Sequence, residues 1–208
     1  MKFVTIADTH NQHNRLTLPK ADVLIHAGDV SMRGTEPEII DFLNWFSKQD
    51  FQYKILVAGN HDFYFERASE EQINKILPSN IIYLKDSGVT INDISIWGSP
   101  ITPWFFNWAF NRHRGEPIQR HWDMIPDNTD ILITHGPVFK VLDKTKKGQH
   151  TGCEDLLNKI NEINPKVHIC GHIHEDYGTA ETAGIKFINA SVLNEKYELK
   201  NKPVIFEL

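Results

Sequence analysis

Six runs of this 208-residue chain are almost continuously apolar and rich in β-branched residues: KFVTIA (2–7), ADVLIHA (21–27), YKILVA (53–58), TDILIT (129–134), KVHIC (166–170) and IKFINA (185–190). A strand wetted on one face alternates apolar and polar residues, whereas a strand buried on both faces needs apolar side chains throughout. The runs therefore predict sheet that is covered on both sides, with helices as the cover. Helix starts lie between them. TEPE (35–38) is a Thr-x-x-Glu capping box with proline in the first turn, followed by Ile39, Phe42, Leu43 and Phe46 on one face. SEEQ (69–72) opens a shorter helix carrying Ile73, Ile76 and Leu77. TGCE (151–154) opens a third, with Leu156, Leu157, Ile160 and Ile163 at helical spacing.

Residues 81–98 read as short strands joined by the turns KDSG and IND. Early strands alternating with helices, then paired strands, give an α/β class with mixed sheets and helices outside. No linker, repeat or low-complexity stretch interrupts the chain, so residues 1–208 read as a single domain. Residues 99–126 stand apart. SPITPWFFNWAFNRHRGEP is aromatic and basic without periodicity, and a loop of that length in a compact domain is usually functional. It is either an apolar flap on the core or a wall facing substrate, and both can hold together.

The net charge is −5 with histidine neutral, which lacks the basic footprint of nucleic-acid binders. A small substrate fits better than a polymer, and no stable nucleic-acid complex is expected. Cys153 and Cys170 form neither a C-x-x-C pair nor a disulfide framework, so they read as buried free thiols. MKFVTIAD is too short for a signal-peptide core and no run approaches a membrane span. A cytoplasmic protein that does not use the membrane is the expectation.

Five of the apolar runs end in residues that bind metals. The first runs into ADTHN with Asp8 and His10, the second into HAGDV with Asp29, and the third into GNHD with Asn60, His61 and Asp62. The fourth ends in THGP with His135 and the fifth in CGHIH with His172 and His174. Ligands of open α/β sheets bind at the carboxyl ends of strands. Oxygen and imidazole donors without thiolate suit Mn, Fe, Zn, Co or Ni rather than a soft metal or calcium. Asp8, His10, Asp29, Asn60, His135, His172 and His174 exceed the needs of one ion. A carboxylate shared by two ions would hold them roughly 3.5–4 Å apart, the spacing used for displacement at phosphorus. Asp29, central in chain order, is the natural bridge. Of the other histidines, His26 and His168 lie in apolar runs and should be buried. His121 and His150 read as structural or surface residues, and His13 and His113 are candidates for contacts around the site.

The ordered set Asp-x-His, Gly-Asp, Gly-Asn-His-Asp, a lone His after a strand and Gly-His-x-His resembles the signature of calcineurin-like metallophosphoesterases, over nearly the whole chain. LIHAGDV, WGSPITPWFFNWAFNRHRGEPI, WDMIP and LITHGP resemble the branch containing the mammalian metallophosphoesterase-domain proteins and their bacterial relatives. The resemblance implies a four-layer α/β/β/α sandwich of two mixed sheets flanked by helices, with a dinuclear centre. Asp8, His10, Asp29 and His174 would hold one ion, and Asp29, Asn60, His135 and His172 the other. His61 would donate a proton and Asp62 would orient its ring.

Two divalent transition ions, Mn²⁺ favoured, and a small phosphodiester or nucleotide substrate follow from that resemblance, with attack by a hydroxide bridging the ions. Arg112, Arg114 and His113 are candidate substrate contacts, the arginines for phosphate. Two alternatives remain open: a phosphomonoesterase or protein phosphatase with the same metals, and a non-catalytic scaffold. The oligomeric state is not legible in the sequence.

Overall fold

A computed structural model describes residues 1–208. The strands in chain order are β1 (Lys2–Ile6), β2 (Val23–Ala27), β3 (Tyr53–Val57), β4 (Ile82–Leu84), β5 (Ser87–Ile91), β6 (Ile94–Ser99), the short pair β7 (Thr102–Pro103) and β8 (Asn111–Arg112), β9 (Ile131–Thr134), β10 (Val167–Cys170), β11 (Gly178–Thr182), β12 (Ile185–Asn189) and β13 (Val204–Glu207). The helices are α1 (Glu36–Ser47), α2 (Phe63–Arg67), α3 (Glu70–Ile76), α4 (Glu116–Trp122) and α5 (Glu154–Ile163). One sheet runs β13-β1-β2-β3-β4 and the other β11-β12-β10-β9-β6-β5. Interior neighbours are parallel, and β13, β11 and β5 close edges as antiparallel strands.

The two-residue period of each strand sorts its apolar side chains into two cores. Phe3, Val23, Ile25, Ile55 and Val57 meet Ile96, Ile131, Ile133, Val167, Ile169 and Ile188 in a cluster that contains no helical residue. The alternate positions Val4, Ile6, Leu24, Leu56 and Leu132 pack instead with Phe42 and Phe46 of α1, Trp122 of α4 and Leu156 of α5. Sheet therefore packs on sheet inside, and helix on sheet outside. This is the expected four-layer sandwich of two mixed sheets, and continuous apolar runs are what it requires.

Four parallel strands of each sheet share a direction, so their carboxyl ends gather at common edges. Backbone bonds tie those ends together across the molecule. Ala7 N–H donates to Ala190 O (2.9 Å), Asp8 N–H to Gly28 O (2.9 Å) and Gly171 N–H to His135 O (2.9 Å). The loops after β1, β2, β9, β10 and β12 thus form one hydrogen-bonded rim.

Helix starts largely follow the local chemistry. Glu38 accepts the Thr35 N–H (2.9 Å) at the start of α1, and Ser69 with Gln72 closes the corresponding box at α3 (2.9 and 3.3 Å). TGCE opens α5 as expected, with Glu154 its first residue. The cap is Cys153, whose sulfur accepts the Leu156 N–H (3.4 Å). Both cysteines are free and buried, as expected. Residues 99–126 are also more ordered than a single loop. They contain the β7/β8 pair and α4, whose Ile118 and Trp122 enter the core.

His26 and His168 are fully buried, and burial pushes both down to about 3. His168 Nε2 lies 2.8 Å from the Thr134 hydroxyl. An unfolded histidine titrates near 6.5, so unfolding takes up protons as pH falls below that value, and the stabilising contribution present above it is lost towards pH 3. Wild type should therefore lose about 2 kcal/mol more than His168→Leu between pH 6 and pH 4. Urea unfolding at the two pH values checks this, and parallel losses in the two proteins would contradict it.

Candidate metal centre

The rim gathers the predicted donors. Asp8, His10 and His174 converge in one group and Asp29, His135 and His172 in another, each with ligand atoms within 4.8 Å of one another. His10, Asp29 and His61 form a third such group, so Asp29 adjoins both halves of the site. The site is held by strain and close backbone approach. Asp8, His10, Asp29 and His172 all have positive φ, at 55°, 39°, 58° and 70°, in the left-handed region that side chains disfavour and that recurs at functional sites. Gly28 and Gly59 let the neighbouring backbone press in. A Cβ at Gly28 would collide with the His135 ring, and one at Gly59 with Asp29.

Four of the five imidazoles are aimed by a bond from the far side. Nδ1 of His10 donates to Ser31 O (2.9 Å), that of His135 to Ala27 O (3.0 Å), that of His174 to Asn194 O (3.1 Å) and that of His61 to Met32 O (2.8 Å). A carbonyl can only accept, so the proton sits on Nδ1 and Nε2 is turned to the centre, the arrangement found behind metal-ligating histidines. Asp29 Oδ2 then stands 3.6 Å from His10 Nε2 and 3.3 Å from His135 Nε2, while Oδ1 accepts the His61 N–H (2.8 Å). Asp8 lies 3.6 Å from His174 Nε2, accepts the His172 N–H (2.9 Å) and takes a short bond from the Ser191 hydroxyl.

Two observations test whether a cation fits. His10 Nε2 is buried and has no hydrogen-bond partner in the protein, an orphaned lone pair pointed at carboxylates. His135 Nε2 faces Asn60 Oδ1 (2.9 Å) as well as Asp29, although its Nδ1 is already spent on Ala27 O. Burial alone would push His135 down, but the Asp29 carboxylate brings it up to about 9. Burial is likewise overcome at His174 by Asp8, again up to about 9. Both carboxylates are held well below the usual range, against the penalty of burial, by these imidazoles. Positive charge is thus demanded between acceptor oxygens and imidazole nitrogens at both ends of the site. Oxygen and nitrogen donors of this kind suit divalent transition ions.

His61 closes the outer side. Its ring stacks on Trp108 (centroids 4.2 Å apart) and meets His10 edge-on (4.6 Å), in a cleft of about 240 Å³ that Tyr197 also lines. The expectation that Asp62 orients His61 is corrected, because Met32 O holds that ring. Asp62 is fully buried and accepts from Gly59 N–H (2.8 Å), Ser31 N–H (3.0 Å), Val30 N–H (3.2 Å) and the Ser31 hydroxyl (2.6 Å). It staples the loops after β2 and β3. Burial and the Asp29 charge push its carboxyl up to about 6. Four donors aimed at one carboxylate oppose that shift and favour the ionised form.

The expected substrate contacts divide. Arg114 lines a second cavity, of about 390 Å³, with Trp104, Phe105, His150 and His172. Arg112 pairs with Glu66 (3.5 Å), and His113 stacks on Trp104 (5.4 Å), so neither lines a cavity at the site. His13 is likewise away from it, buried against Phe42 and Trp45 and 3.2 Å from Asp41. Sequence reasoning missed Ser31, Trp108, Ser191 and Tyr197. No periodicity marks them. The density of aromatics in 104–108 was the one available signal.

Residues 1–176 match the family described as calcineurin-like phosphoesterase. The chain is 38% identical to metallophosphoesterase domain-containing protein 1 of Homo sapiens, covering 100% of this chain and 71% of that protein. It is 35% identical to a UPF0046 protein of Caenorhabditis elegans, over 99% of this chain and 74% of that one. Among solved structures, a phosphopantetheinyl hydrolase of Mycobacterium tuberculosis is similar in fold, with a TM-score of 0.66 at 15% identity, covering 94% of this chain and 90% of that one. No helix is long and apolar enough to cross a membrane.

Asp62→Asn turns an acceptor oxygen into an amide NH₂ facing N–H donors. It should lower unfolding stability by about 2–3 kcal/mol, the cost of unsatisfied buried groups. A variant that melts with wild type would contradict the staple.

Proposed function

The chain belongs to the calcineurin-like phosphoesterase family, metal-dependent enzymes with a dinuclear centre, and from that premise we propose that it hydrolyses small phosphodiesters. Asp8, His10, Asp29 and His174 would hold one ion, and Asp29, Asn60, His135 and His172 the other. Two divalent ions there would draw charge from the phosphoryl oxygens and lower the pKa of water.

One observation carries the preference for diesters. The cleft beside His61 and the cavity beside Arg114 both include Phe105, His172 and Ile173, so two rooms adjoin at the centre. A phosphorus atom at the junction can send one ester arm into each room. A monoester would leave one of them without an arm to hold. The fold is compatible with monoester hydrolysis too, but the pair of rooms favours the diester.

The role we assign to His61 follows from its position. Its Nδ1 is fixed on Met32 O, its ring plane is fixed by Trp108, and its backbone N–H is fixed on Asp29. In its imidazolium form the ring keeps the Nδ1 proton on Met32 O and gives the Nε2 proton to the departing alkoxide, which leaves the neutral Nδ1–H tautomer. Trp108 and Tyr197 on the cleft walls would keep water from competing for that proton and offer apolar surface to the leaving group. Asp62 acts at one remove, by holding the loop that carries His61.

His61→Gln should keep its metal content near wild type and slow diesters of weakly acidic alcohols by about 10²–10⁴-fold, the usual share of a general acid. p-Nitrophenyl esters should suffer less, because p-nitrophenolate departs without a proton. Equal losses for good and poor leaving groups, or loss of metal, would reject the assignment. In the wild type, bis-p-nitrophenyl phosphate or 2′,3′-cyclic AMP should be cleaved with higher kcat/KM than p-nitrophenyl phosphate. The reverse order would overturn the diester reading.

A further inference from the structure

The larger of the two rooms is not a neutral slot. Phe105, His172 and Ile173 are shared with the cleft at the metal centre, whereas Trp104, Arg114, Thr145 and His150 line this room alone. Arg114 pairs with no carboxylate; its one hydrogen bond runs from Nη2 to Thr151 O (3.0 Å), which leaves most of the guanidinium donors free. His150 is held from behind by the fully buried Asp143, whose Oδ1 accepts from Nδ1 at 2.6 Å. Nε2 is the ring nitrogen left for the cavity, and it donates to an anion there when the ring carries both protons, with Asp143 behind it as counter-charge. Lys144, Lys146 and Lys147 flank Thr145 in the sequence, but none of them lines the cavity.

No carboxylate lines the cavity, and those on neighbouring loops accept hydrogen bonds elsewhere. Asp143 also accepts the N–H groups of Lys140 and Gly152 (both 2.9 Å). Asp176 accepts the Lys144 N–H (2.7 Å), Glu175 the Lys146 N–H (3.3 Å) and Asp155 the Gly115 N–H (3.3 Å). Glu195 pairs with the Lys146 ammonium (3.5 Å). The cavity therefore joins a wall shared with the metal cleft, at Phe105, His172 and Ile173, to the carboxylate-free guanidinium of Arg114. A cavity of about 390 Å³ falls within the range of small-molecule sites, in which a few placed polar groups set specificity.

We infer that this room selects diesters in which one arm ends in a second anion, a phosphate or a carboxylate, read by Arg114 and His150. The inference rests on the diester reading. The arm would lay its apolar or planar portion on Trp104 and Phe105, with its terminal anion at the guanidinium fork. Arg114 and His150 are thus specificity-determining residues, remote from the reacting phosphorus. A neutral arm leaves their donors to solvent and gains nothing from them.

The test is a matched set of p-nitrophenyl alkyl phosphodiesters whose alkyl arm ends in methyl, carboxylate or phosphate, so that leaving group and reacting phosphorus stay constant. Wild type should favour an anionic arm over the methyl arm by about tenfold or more in kcat/KM, as a charge-assisted pair supplies. The phosphate and carboxylate arms decide which anion is preferred. Arg114→Gln, at an exposed position that spares the core, should bring the anion-to-methyl ratio close to one, and His150→Ala should lower it.

Inhibition adds a readout without turnover: propane-1,3-diyl bisphosphate should inhibit wild type more strongly than propyl phosphate, and Arg114→Gln should lose that difference. Diesters cleaved with equal kcat/KM whatever the arm's charge, or a preference that survives Arg114→Gln, would overturn the inference and leave the diester reading standing. Cleavage of monoesters with no cleavage of any diester would overturn both.

Discussion

Asp29 is the contact on which the rest of the site depends. One carboxylate, at a backbone position with φ of 58°, reaches the ring of His10, the ring of His135 and the backbone N–H of His61. An exposed carboxylate at these separations would interact weakly. Here it is 2% exposed, and in a poorly screened interior its charge dominates its surroundings. It holds His135 protonated far above the usual imidazole range, in spite of burial. A buried anion among imidazoles, with an amide oxygen alongside, is costly in itself. The arrangement makes physical sense as a cradle for cations.

The fold supplies that cradle by geometry. Parallel strands present their carboxyl ends on one side, and stacking two sheets doubles the number of ends available. Loops that leave those ends must carry donors without burying orphan backbone groups, and the rim of cross-loop hydrogen bonds meets that need. Asp62 extends the same principle. It stands outside the three groups of converging donors, yet its four accepted bonds lock the loop of Asp29 to the loop of Asn60 and His61.

Much of this was legible in the chain. The six apolar runs predicted covered sheets because burial on two faces leaves no other composition, and the structure has four layers. The donors at five strand ends were legible because their order along the chain mirrors the order in which strands reach the rim. Other features had no local signature. Asp62 reads as a neighbour of His61, but its partners lie about thirty positions away, at Val30 and Ser31. Helix α4 hides in an aperiodic stretch because it has only 7 residues and starts after a glycine rather than a capping side chain. Ser191 follows the run IKFINA but a lone serine is no ligand signal, and Tyr197 lies beyond it with neither run nor cap to place it. Arg112, Arg114 and His113 looked alike in sequence, and only packing separates the one that faces a cavity from the two that do not.

The central claim is a pair of ions joined through Asp29, and metal stoichiometry tests it most directly. Elemental analysis after loading with excess Mn²⁺ and removal of the free ion should find two ions per chain in the wild type. Asp29→Ala should lose both, whereas Asn60→Ala should weaken mainly one. One ion or none in the loaded wild type, or retention of both in Asp29→Ala, would contradict the account.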